Sequence, residues 1–409
     1  MQKIHLSRTV LIISVQVILL FILLAALWIQ ERRSAKAMSR QTTPDSGPEA
    51  SAAWISCSIP SGIMEQAFRL DINSCQAPVH LSWIDLLACL GSEYGGDFSR
   101  FQQEDLDALA NALSAGAAMD QLVSDPDSFS QYRETYQAVL GGLVGYFRQE
   151  ADAPEIAGSN SSGSSGSNSQ GNSRSDAPGS SNGSLPGNPD GNSPGSSGGS
   201  LSGGSGSDTP APSEKKKVWV TKYGLKAFSP IAMDFPYTDS DDFNTKGLCS
   251  RSERHLGHDM AGQEGTPVIA VESGTVESMS WNRENGWQLG IRSLDNSRYY
   301  LYGHLRKNYP YQSNLDIGSR VTAGDVIGYL GRTGGGEKEN TDQAVSPHLH
   351  FGLQIRGKTG ESGSFDGIWV NCSQLIRFLG MNQSKVEKIE GTMEWNRVYR
   401  QEELDDGSL

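Results

Sequence analysis

Histidine placement is the feature of this sequence that most directly suggests chemistry. The chain has seven histidines, and five of them lie within residues 255–350. Two of these, His348 and His350, are separated by one leucine in the segment Ser-Pro-His-Leu-His-Phe-Gly. Because side chains alternate between the faces of a β-strand, both imidazoles would point to one side, with Leu349 and Phe351 pointing into a core. Two imidazoles on one face can reach a common point in space.

A second motif adds a carboxylate to the histidines. His255 and Asp259 lie four residues apart, across a glycine, in the segment His-Leu-Gly-His-Asp, so both side chains can turn towards one ion. Two histidines and one aspartate are a typical ligand set of a catalytic zinc site, which leaves the fourth tetrahedral position for water. His304 follows in the segment Tyr-Gly-His-Leu, at the end of another predicted strand. A lone histidine is most often structural, but three such clusters in one β-region favour a metal site.

Short β-strands would carry these residues. β-Branched and aromatic residues alternate with glycine-rich turns in five segments of the C-terminal region, and Leu294-Asp295-Asn296 has the composition of a hairpin turn. We therefore predict an all-β domain of antiparallel sheets, with helical character returning near the end of the chain over residues 373–400. The predicted strand segments are 266–276, 287–293, 297–302, 324–331 and 348–355.

The remaining sequence divides by composition, because 409 residues are too many for one ordinary domain. The predicted segments are a cytoplasmic tail (1–8), a transmembrane helix (9–29), a small all-α domain (51–152), a disordered linker (153–217), the β-domain (218–380) and a C-terminal tail (381–409).

The uncharged segment 9–29 has the length of a membrane span. Its 21 residues would extend about 30 Å as a helix, which matches the hydrocarbon core of a bilayer. We interpret it as a retained anchor, and a cleaved signal peptide is the alternative. Four basic residues follow the span within 32–40, and by the positive-inside rule alone they would keep the C-terminal side in the cytoplasm. The chemistry predicted downstream leads us to the opposite orientation, with the C-terminal domain outside the cell membrane.

Residues 51–152 show helical periodicity. Ser82 to Asp85 has the form of a capping box, and Leu106, Leu109 and Leu113 fall on one helix face. These patterns predict a bundle of three or four helices that folds independently and acts as a spacer or docks an unknown protein partner. The Gly/Ser/Asn/Pro-rich residues 153–217 cannot bury enough apolar surface to fold, and a coil of this length spans about 40–45 Å.

Charge and cysteine content exclude some functions. The formal net charge of −13 argues against generic nucleic-acid binding. The five cysteines show no C-x-x-C spacing, and their odd number argues against a fully paired disulfide framework. A bond between Cys57 and Cys75 is possible outside the cytoplasm, and buried free thiols are the alternative.

Residues 220–380 resemble the lysostaphin-like, or LytM-type, zinc metalloendopeptidases, which are family 23 of the metallopeptidases. Four motifs carry the resemblance: H-x-x-x-D at His255 and Asp259, Y-x-H-L from Tyr302 to Leu305, a glycine-rich string from Gly318 to Gly334, and H-L-H at 348–350.

The resemblance implies roles for individual residues. His255, Asp259 and His350 would hold Zn²⁺, and His304 and His348 would be the catalytic histidines. The metal would acidify water and polarise the scissile carbonyl, a protonated His304 would stabilise the oxyanion, and His348 would orient the water or move its proton. The substrates implied are the peptide cross-links of bacterial peptidoglycan. His258 stands where the family usually has an apolar residue, and we interpret it as structural or as lining the rim.

These observations lead to a membrane-anchored, zinc-dependent peptidoglycan endopeptidase as the first hypothesis. The alternative is a non-catalytic cell-wall or sporulation scaffold or activator that keeps the peptidase fold as a binding module. The complete ligand set favours the enzyme. Two segments, Thr238–Cys249 and Gly335–Val345, are longer than the resemblance leads us to expect, and we predict that both wall the substrate groove.

Overall fold

The structure is a computed structural model that describes residues 53–153, 216–245, 254–342, 346–356 and 367–404. The described residues of 53–151 and 219–404 belong to one compact unit, and those of 152–218 belong to a second. The predicted tail 1–8, the predicted membrane span 9–29 and nearly all of the predicted linker 153–217 lie outside the described residues. No helix within the described ranges is long and apolar enough to cross a membrane.

The predicted bundle is present between residues 61 and 140. Ser82 caps the second helix by accepting a hydrogen bond at Oγ from the backbone N–H of Asp85, as its sequence predicts, and Gly95 ends that helix with a left-handed φ of 62°. Leu106, Leu109 and Leu113 are buried along one face of a later helix. The helices are α1 (Ser61–Ser74), α2 (Trp83–Tyr94), α3 (Gln103–Ser114), the single turn α4 (Met119–Leu122) and α5 (Pro126–Leu140).

Beyond these helices, the described residues form sixteen strands and one further helix, α6 (Ser373–Leu379). The strands are β1 (Trp54–Ser56), β2 (Val144–Asp152), β3 (Lys217–Leu225), β4 (Tyr237–Asp239), β5 (His258–Gly262), β6 (Pro267–Ile269), β7 (Gly274–Asn282), β8 (Gly286–Ser293), β9 (Arg298–Leu305), β10 (Arg320–Val321), β11 (Val326–Tyr329), β12 (His348–Arg356), β13 (Gly367–Asn371), β14 (Val386–Lys388), β15 (Trp395–Arg397) and β16 (Gln401–Glu403).

The main sheet is organised around β12. Its strand order is β1-β13-β12-β9-β8-β7-β10, and β5 pairs with the first half of β12 while β4 pairs with β5. The predicted hairpin is present as β8 and β9, which pair antiparallel. The strand that carries the two neighbouring histidines therefore lies in the interior of the sheet, with partners on both sides.

Three features of the fold differ from the sequence predictions. The segment 51–152 is not all-α, since β1 and β2 flank its helices and pair with strands from elsewhere in the chain. The main sheet is not wholly antiparallel, because β1 adds to β13 in parallel register at its edge. Helical character near the end of the chain is confined to α6, and the residues after it form β14, β15 and β16. The first two differences arise from pairings between residues far apart in sequence, which local periodicity does not show. The third is partly local, since β14 and β15 pair with each other across a short loop.

The helices and the sheet share one hydrophobic core. Phe378 of α6 stacks on Trp83 of α2 with ring centroids 5.5 Å apart, and it meets Phe68 of α1 edge to face at 5.6 Å. All three rings are buried, and the backbone N–H of Ser61 donates to the side chain of Gln374 in α6. The expectation of an independently folded helical domain is therefore not matched, because part of the apolar surface of these helices is covered by α6.

A buried charge network reinforces the same junction. The Arg298 guanidinium, which is 2% exposed, donates to both carboxylate oxygens of Glu272 at 2.8 and 2.7 Å. It also reaches the backbone carbonyl of Ala138 near the end of α5 at 3.4 Å. The phenol of Tyr300 donates to the same Glu272 carboxylate. This arginine is paired and hydrogen-bonded on both sides of the junction, which is the condition under which a charge can be buried.

The described cysteines are free thiols. Cys57, Cys89 and Cys372 are buried, Cys75 is half-buried, and none of these four forms a disulfide. Burial raises the pKa of Cys57 and of Cys372 to about 12, so both remain protonated and inert. The possible disulfide between Cys57 and Cys75 is not formed, and Cys249 lies outside the described residues.

We expect Phe378→Ala to destabilise the helices and the sheet together. The substitution removes a ring packed between α1 and α2 and should lower the free energy of unfolding by about 3–5 kcal/mol. Urea unfolding, followed by far-ultraviolet circular dichroism and by tryptophan fluorescence, measures the effect. Ile317→Ala is the control, since this side chain is 65% exposed and should change stability by less than about 0.5 kcal/mol. A helical transition that keeps its midpoint in Phe378→Ala would contradict the shared core.

Candidate metal centre and catalytic histidines

Strand register brings His350 and Asp259 together. The two residues are direct partners in the antiparallel pair of β12 and β5, so their side chains leave the sheet on the same face. Leu349 and Phe351 point the other way and are fully buried, as the alternation in the sequence predicts. A strand pair thus fixes two of the three predicted metal ligands without help from a loop.

His255 reaches the same point from the residues just before β5. Its backbone N–H donates to the carbonyl of Thr245 at 2.9 Å, and its carbonyl accepts from the N–H of Asn244. The chain then passes over the ring of His350 at Gly257, where a Cβ would lie 2.2 Å from the imidazole Cε1 and 2.5 Å from Nε2. Only glycine allows the backbone to come this close to the ring, which gives the glycine of the motif a physical reason.

Three donor atoms converge on one point. His255 Nε2 lies 3.0 Å from Asp259 Oδ1 and 2.9 Å from His350 Nδ1, and the last two atoms are 3.1 Å apart. Four-coordinate zinc with bonds of about 2.0–2.1 Å to nitrogen and oxygen places its ligand atoms about 3.3 Å apart. The triangle formed by these three donor atoms therefore has the dimensions and the donor types of a tetrahedral zinc site with one corner open. These residues fit the metal that the sequence resemblance implies.

The electrostatics of the triangle favour a shared positive charge. Burial disfavours a charged His255, but the carboxylates of Asp242 and Asp259 outweigh it and raise the pKa of His255 to about 10. Burial likewise opposes ionisation of Asp259, and the two neighbouring imidazoles overcome it and lower the pKa of that carboxyl. Burial lowers the pKa of His350, the most enclosed of the three. The site thus keeps an ionised carboxylate beside two imidazoles, which is a cation-binding arrangement.

His348 and His304 lie beside the triangle with one ring nitrogen of each fixed. His348 Nδ1 lies 2.7 Å from the backbone carbonyl of Ser346, and His304 Nδ1 lies 2.7 Å from that of Thr333. Because a carbonyl only accepts, both rings carry a proton on Nδ1, which leaves Nε2 of each ring for other partners. His348 Nε2 lies 3.6 Å from Asp259 Oδ2, and the two rings are 4.4 Å apart. Both histidines are therefore arranged to accept a proton next to the candidate metal centre.

The charge state of His304 in the structure differs from the protonated state that we expect for oxyanion binding from the resemblance. Burial, reinforced by His348 and His350, lowers the pKa of His304 to about 3, so this imidazole is neutral. Its backbone has the left-handed φ of 55°, and its N–H donates to the carbonyl of Asn285 at 2.6 Å. A neutral His304 can donate to an oxyanion at Nε2 only after it has accepted a proton there.

Sequence reasoning missed Thr333 as a supporting residue. Thr333 is fully buried, and its hydroxyl donates to the carbonyl of Leu305 and accepts from the N–H of Trp287, while its carbonyl orients His304. Thr333 lies at the end of the glycine-rich string that carries the resemblance. The motif therefore includes this position, but it does not indicate that Thr333 supports His304. Asn285 was missed for a different reason, since it contributes only a backbone carbonyl.

His258 is structural. Its side chain is fully buried on the opposite face of β5 from Asp259, and its Nε2 contacts the Asp239 carboxylate. The second oxygen of Asp239 accepts from Arg377 Nε at 2.6 Å. Of the two interpretations from sequence, a structural residue or a rim residue, the burial supports the first.

The loop that follows Thr333 is fastened to residues of the β7–β8 turn, to β8 and to the chain after β9. Asn340 Oδ1 accepts from Trp287 Nε1 at 2.8 Å and from the N–H of Asn308 at 2.9 Å. Gly335 N–H donates to the carbonyl of Arg283, so the loop is fastened to the β7–β8 turn. Residues 343–345 of the predicted groove wall lie outside the described residues, as do 246–249 of the other predicted wall segment.

Comparison with known proteins gives matches in the same region. Residues 253–361 match the profile of peptidase family M23. An L-Ala–D-Glu endopeptidase of Bacillus subtilis is 34% identical over 138 residues, which are 34% of this chain and 40% of the relative. The peptidoglycan DD-endopeptidase ShyC of Vibrio cholerae is 33% identical over 135 residues, which are 32% of this chain and 28% of the relative. The chain thus spans less than half the length of either relative.

A solved structure also matches. The catalytic domain of the antimicrobial peptidase lysostaphin from Staphylococcus simulans is 27% identical and has a TM-score of 0.28. The match covers 34% of this chain and 92% of that domain.

We expect Gly257→Ala to weaken zinc binding by roughly 5- to 150-fold. The new methyl group would overlap the His350 ring, and displacing that ring costs about 1–3 kcal/mol, where 1.4 kcal/mol corresponds to tenfold in affinity. Competition with a chromophoric chelator measures zinc affinity. Gly224→Ala is the matched control, because a Cβ there would meet nothing within 4 Å. Equal zinc affinities of the two variants would contradict the proposed packing of Gly257 against a metal ligand.

Proposed function

Because residues 253–361 belong to peptidase family M23, we propose that this protein is a zinc-dependent endopeptidase that hydrolyses peptide cross-links of bacterial peptidoglycan. Relatives whose names state L-Ala–D-Glu and peptidoglycan DD-endopeptidase activities support the substrate class. We assign metal binding to His255, Asp259 and His350, and proton transfer to His304 and His348.

The observation that carries this proposal is the joint geometry of the triangle and the two histidines. Three donors converge within 4.8 Å of one another, and His348 Nε2 lies beside the second oxygen of Asp259. Binding alone would not require two imidazoles whose Nδ1 atoms are hydrogen-bonded to backbone carbonyls and whose Nε2 atoms remain available for proton transfer. Hydrolysis requires such groups, because a proton must leave the attacking water and another must reach the leaving amine.

The residues of the chain divide the proton transfers between them. Zn²⁺, when bound, would supply the Lewis acidity that polarises the scissile carbonyl and makes water more acidic. A water that approaches the carbonyl beside Asp259 can give its proton to Nε2 of His348, whose ring is oriented by Ser346. His304 is neutral and oriented by Thr333, and its ring centroid lies 4.4 Å from that of His348. It can take over at Nε2 the proton that His348 received from the water, hydrogen-bond the oxyanion with it, and then give it to the leaving nitrogen.

Membrane anchoring and an extracytoplasmic site are further parts of the proposal. They are supported by the uncharged segment 9–29 and by a substrate that lies outside the cell membrane. The Gly/Ser-rich residues 153–217 would then give the catalytic region a reach of tens of ångströms, about 40–45 Å for a coil of this length.

We expect His255→Ala to abolish metal-dependent release of peptides from purified cross-linked peptidoglycan. Loss of several kcal/mol of transition-state stabilisation corresponds to a fall of at least about a hundredfold. Product analysis by mass spectrometry measures release, and a chelator should inactivate the wild-type protein until zinc is added back. His80→Ala is the control, since this half-exposed histidine lies in the helical segment next to Asp71, away from the triangle. Equal release by His255→Ala and wild type would leave only the scaffold hypothesis.

We expect His348→Ala to lower kcat about 10²–10⁴-fold while zinc affinity stays close to that of the wild type. The substitution removes a proton acceptor but none of the three donors of the triangle. Steady-state kinetics and metal titration of the same preparation separate the two effects. A variant that loses zinc in proportion to activity would show that His348 acts as a ligand.

A further inference from the structure

Asp242 faces the side of His255 that is turned away from the triangle. His255 Nε2 points at Asp259 and His350, which leaves Nδ1 directed at the loop after β4. Nδ1 lies 3.2 Å from the backbone carbonyl of Asp242 and 3.4 Å from its carboxylate Oδ1. Both oxygens are hydrogen-bond acceptors, so both favour hydrogen on Nδ1, which leaves Nε2 to face a cation.

The carboxylate oxygen of Asp242 is enclosed. Oδ1 is inaccessible to solvent and has no hydrogen-bond partner among the described residues at ordinary hydrogen-bond geometry. A buried carboxylate oxygen is costly unless a donor or a positive charge compensates it. His255 Nδ1 lies 3.4 Å from this oxygen, and a shortening of a few tenths of an ångström would complete a hydrogen bond between them.

The loop that carries Asp242 is fixed from both sides. Asp239, at the end of β4, contacts His258 and accepts from Arg377. Phe243 is buried and meets Trp54 of β1 edge to face, with ring centroids 5.5 Å apart. The loop that carries the Asp242 carboxylate is therefore held in place by contacts of Asp239 and Phe243 that do not depend on the His255 side chain. One of these contacts is made by Trp54 in the N-terminal strand β1.

We propose that Asp242 is a positioning residue that holds His255 through Nδ1 in the orientation and tautomer required for Zn²⁺ binding at Nε2. This inference rests on the proposed function, since the metal is the one proposed there. A partner carboxylate also increases the electron density that the imidazole offers to a cation. Phe243 and Trp54 extend the arrangement to β1, which links the N-terminal region to the geometry of the metal centre.

The test is the zinc affinity of Asp242→Ala and Asp242→Asn in the full chain, measured by chelator competition. Loss of such an outer carboxylate typically weakens metal binding about 10–100-fold. We expect a loss in this range for Asp242→Ala and a smaller loss for Asp242→Asn, whose amide oxygen can still accept from Nδ1. Asp241→Asn is the matched control, because it removes the same charge from the neighbouring exposed position and should keep wild-type affinity.

Two further readouts separate positioning from general destabilisation. The melting temperature of each metal-free variant should stay near that of the wild type, and the absorption spectrum of bound Co²⁺ should change in Asp242→Ala but not in Asp241→Asn. Wild-type zinc affinity in both Asp242 variants would overturn the inference. So would equal losses in Asp241→Asn and Asp242→Asn, which would indicate a long-range charge effect. Failure of the wild-type chain to bind zinc would instead refute the proposed function.

Discussion

The approach of two imidazole nitrogens and one carboxylate oxygen to within 2.9–3.1 Å of one another is the constraint on which the rest of the structure depends. Lone pairs that face each other at this distance repel unless a cation or a proton lies between them. The surrounding elements keep the three donor atoms from moving apart despite this repulsion. Strain and uncompensated polar groups of this kind occur where function requires them.

The elements around the triangle meet this constraint in different ways. The β5–β12 pair sets Asp259 against His350 by register, and Gly257 brings the chain of His255 across the ring of His350. Backbone carbonyls of Ser346 and Thr333 then orient the two remaining histidines. These supports act through backbone groups, so they are rigid and independent of side-chain rotamers, which is the requirement for a pre-organised site.

The N-terminal region contributes to the same rigidity. Phe378 packs against α1 and α2, Arg298 joins the end of α5 to β9, and β1 extends the main sheet next to β13. The helical segment thus shares its packing with the main sheet rather than forming a separate spacer. Its sequence could not show this, because the apolar faces of α1 and α2 look the same whether they cover each other or a helix from the other end of the chain.

The sequence predicts the local parts of the site well and the long-range parts poorly. The alternation around His348 and His350, the hairpin of β8 and β9 and the Ser82 cap depend on neighbouring residues, and each is present in the structure. The role of Asp242 and the paired strands β2 and β16 depend on contacts across many residues, for which no local pattern exists. The neutral state of His304 follows from burial, which only the folded chain determines.

X-ray absorption at the zinc edge of the zinc-loaded protein tests the central claim most directly. The account predicts one tightly bound zinc with four nitrogen or oxygen ligands at about 2.0–2.2 Å, and the scattering pattern of two imidazoles. Ligands at about 2.3 Å, the distance of cysteine sulfur, or a shell without imidazole would contradict it, because zinc would then bind away from His255, Asp259 and His350.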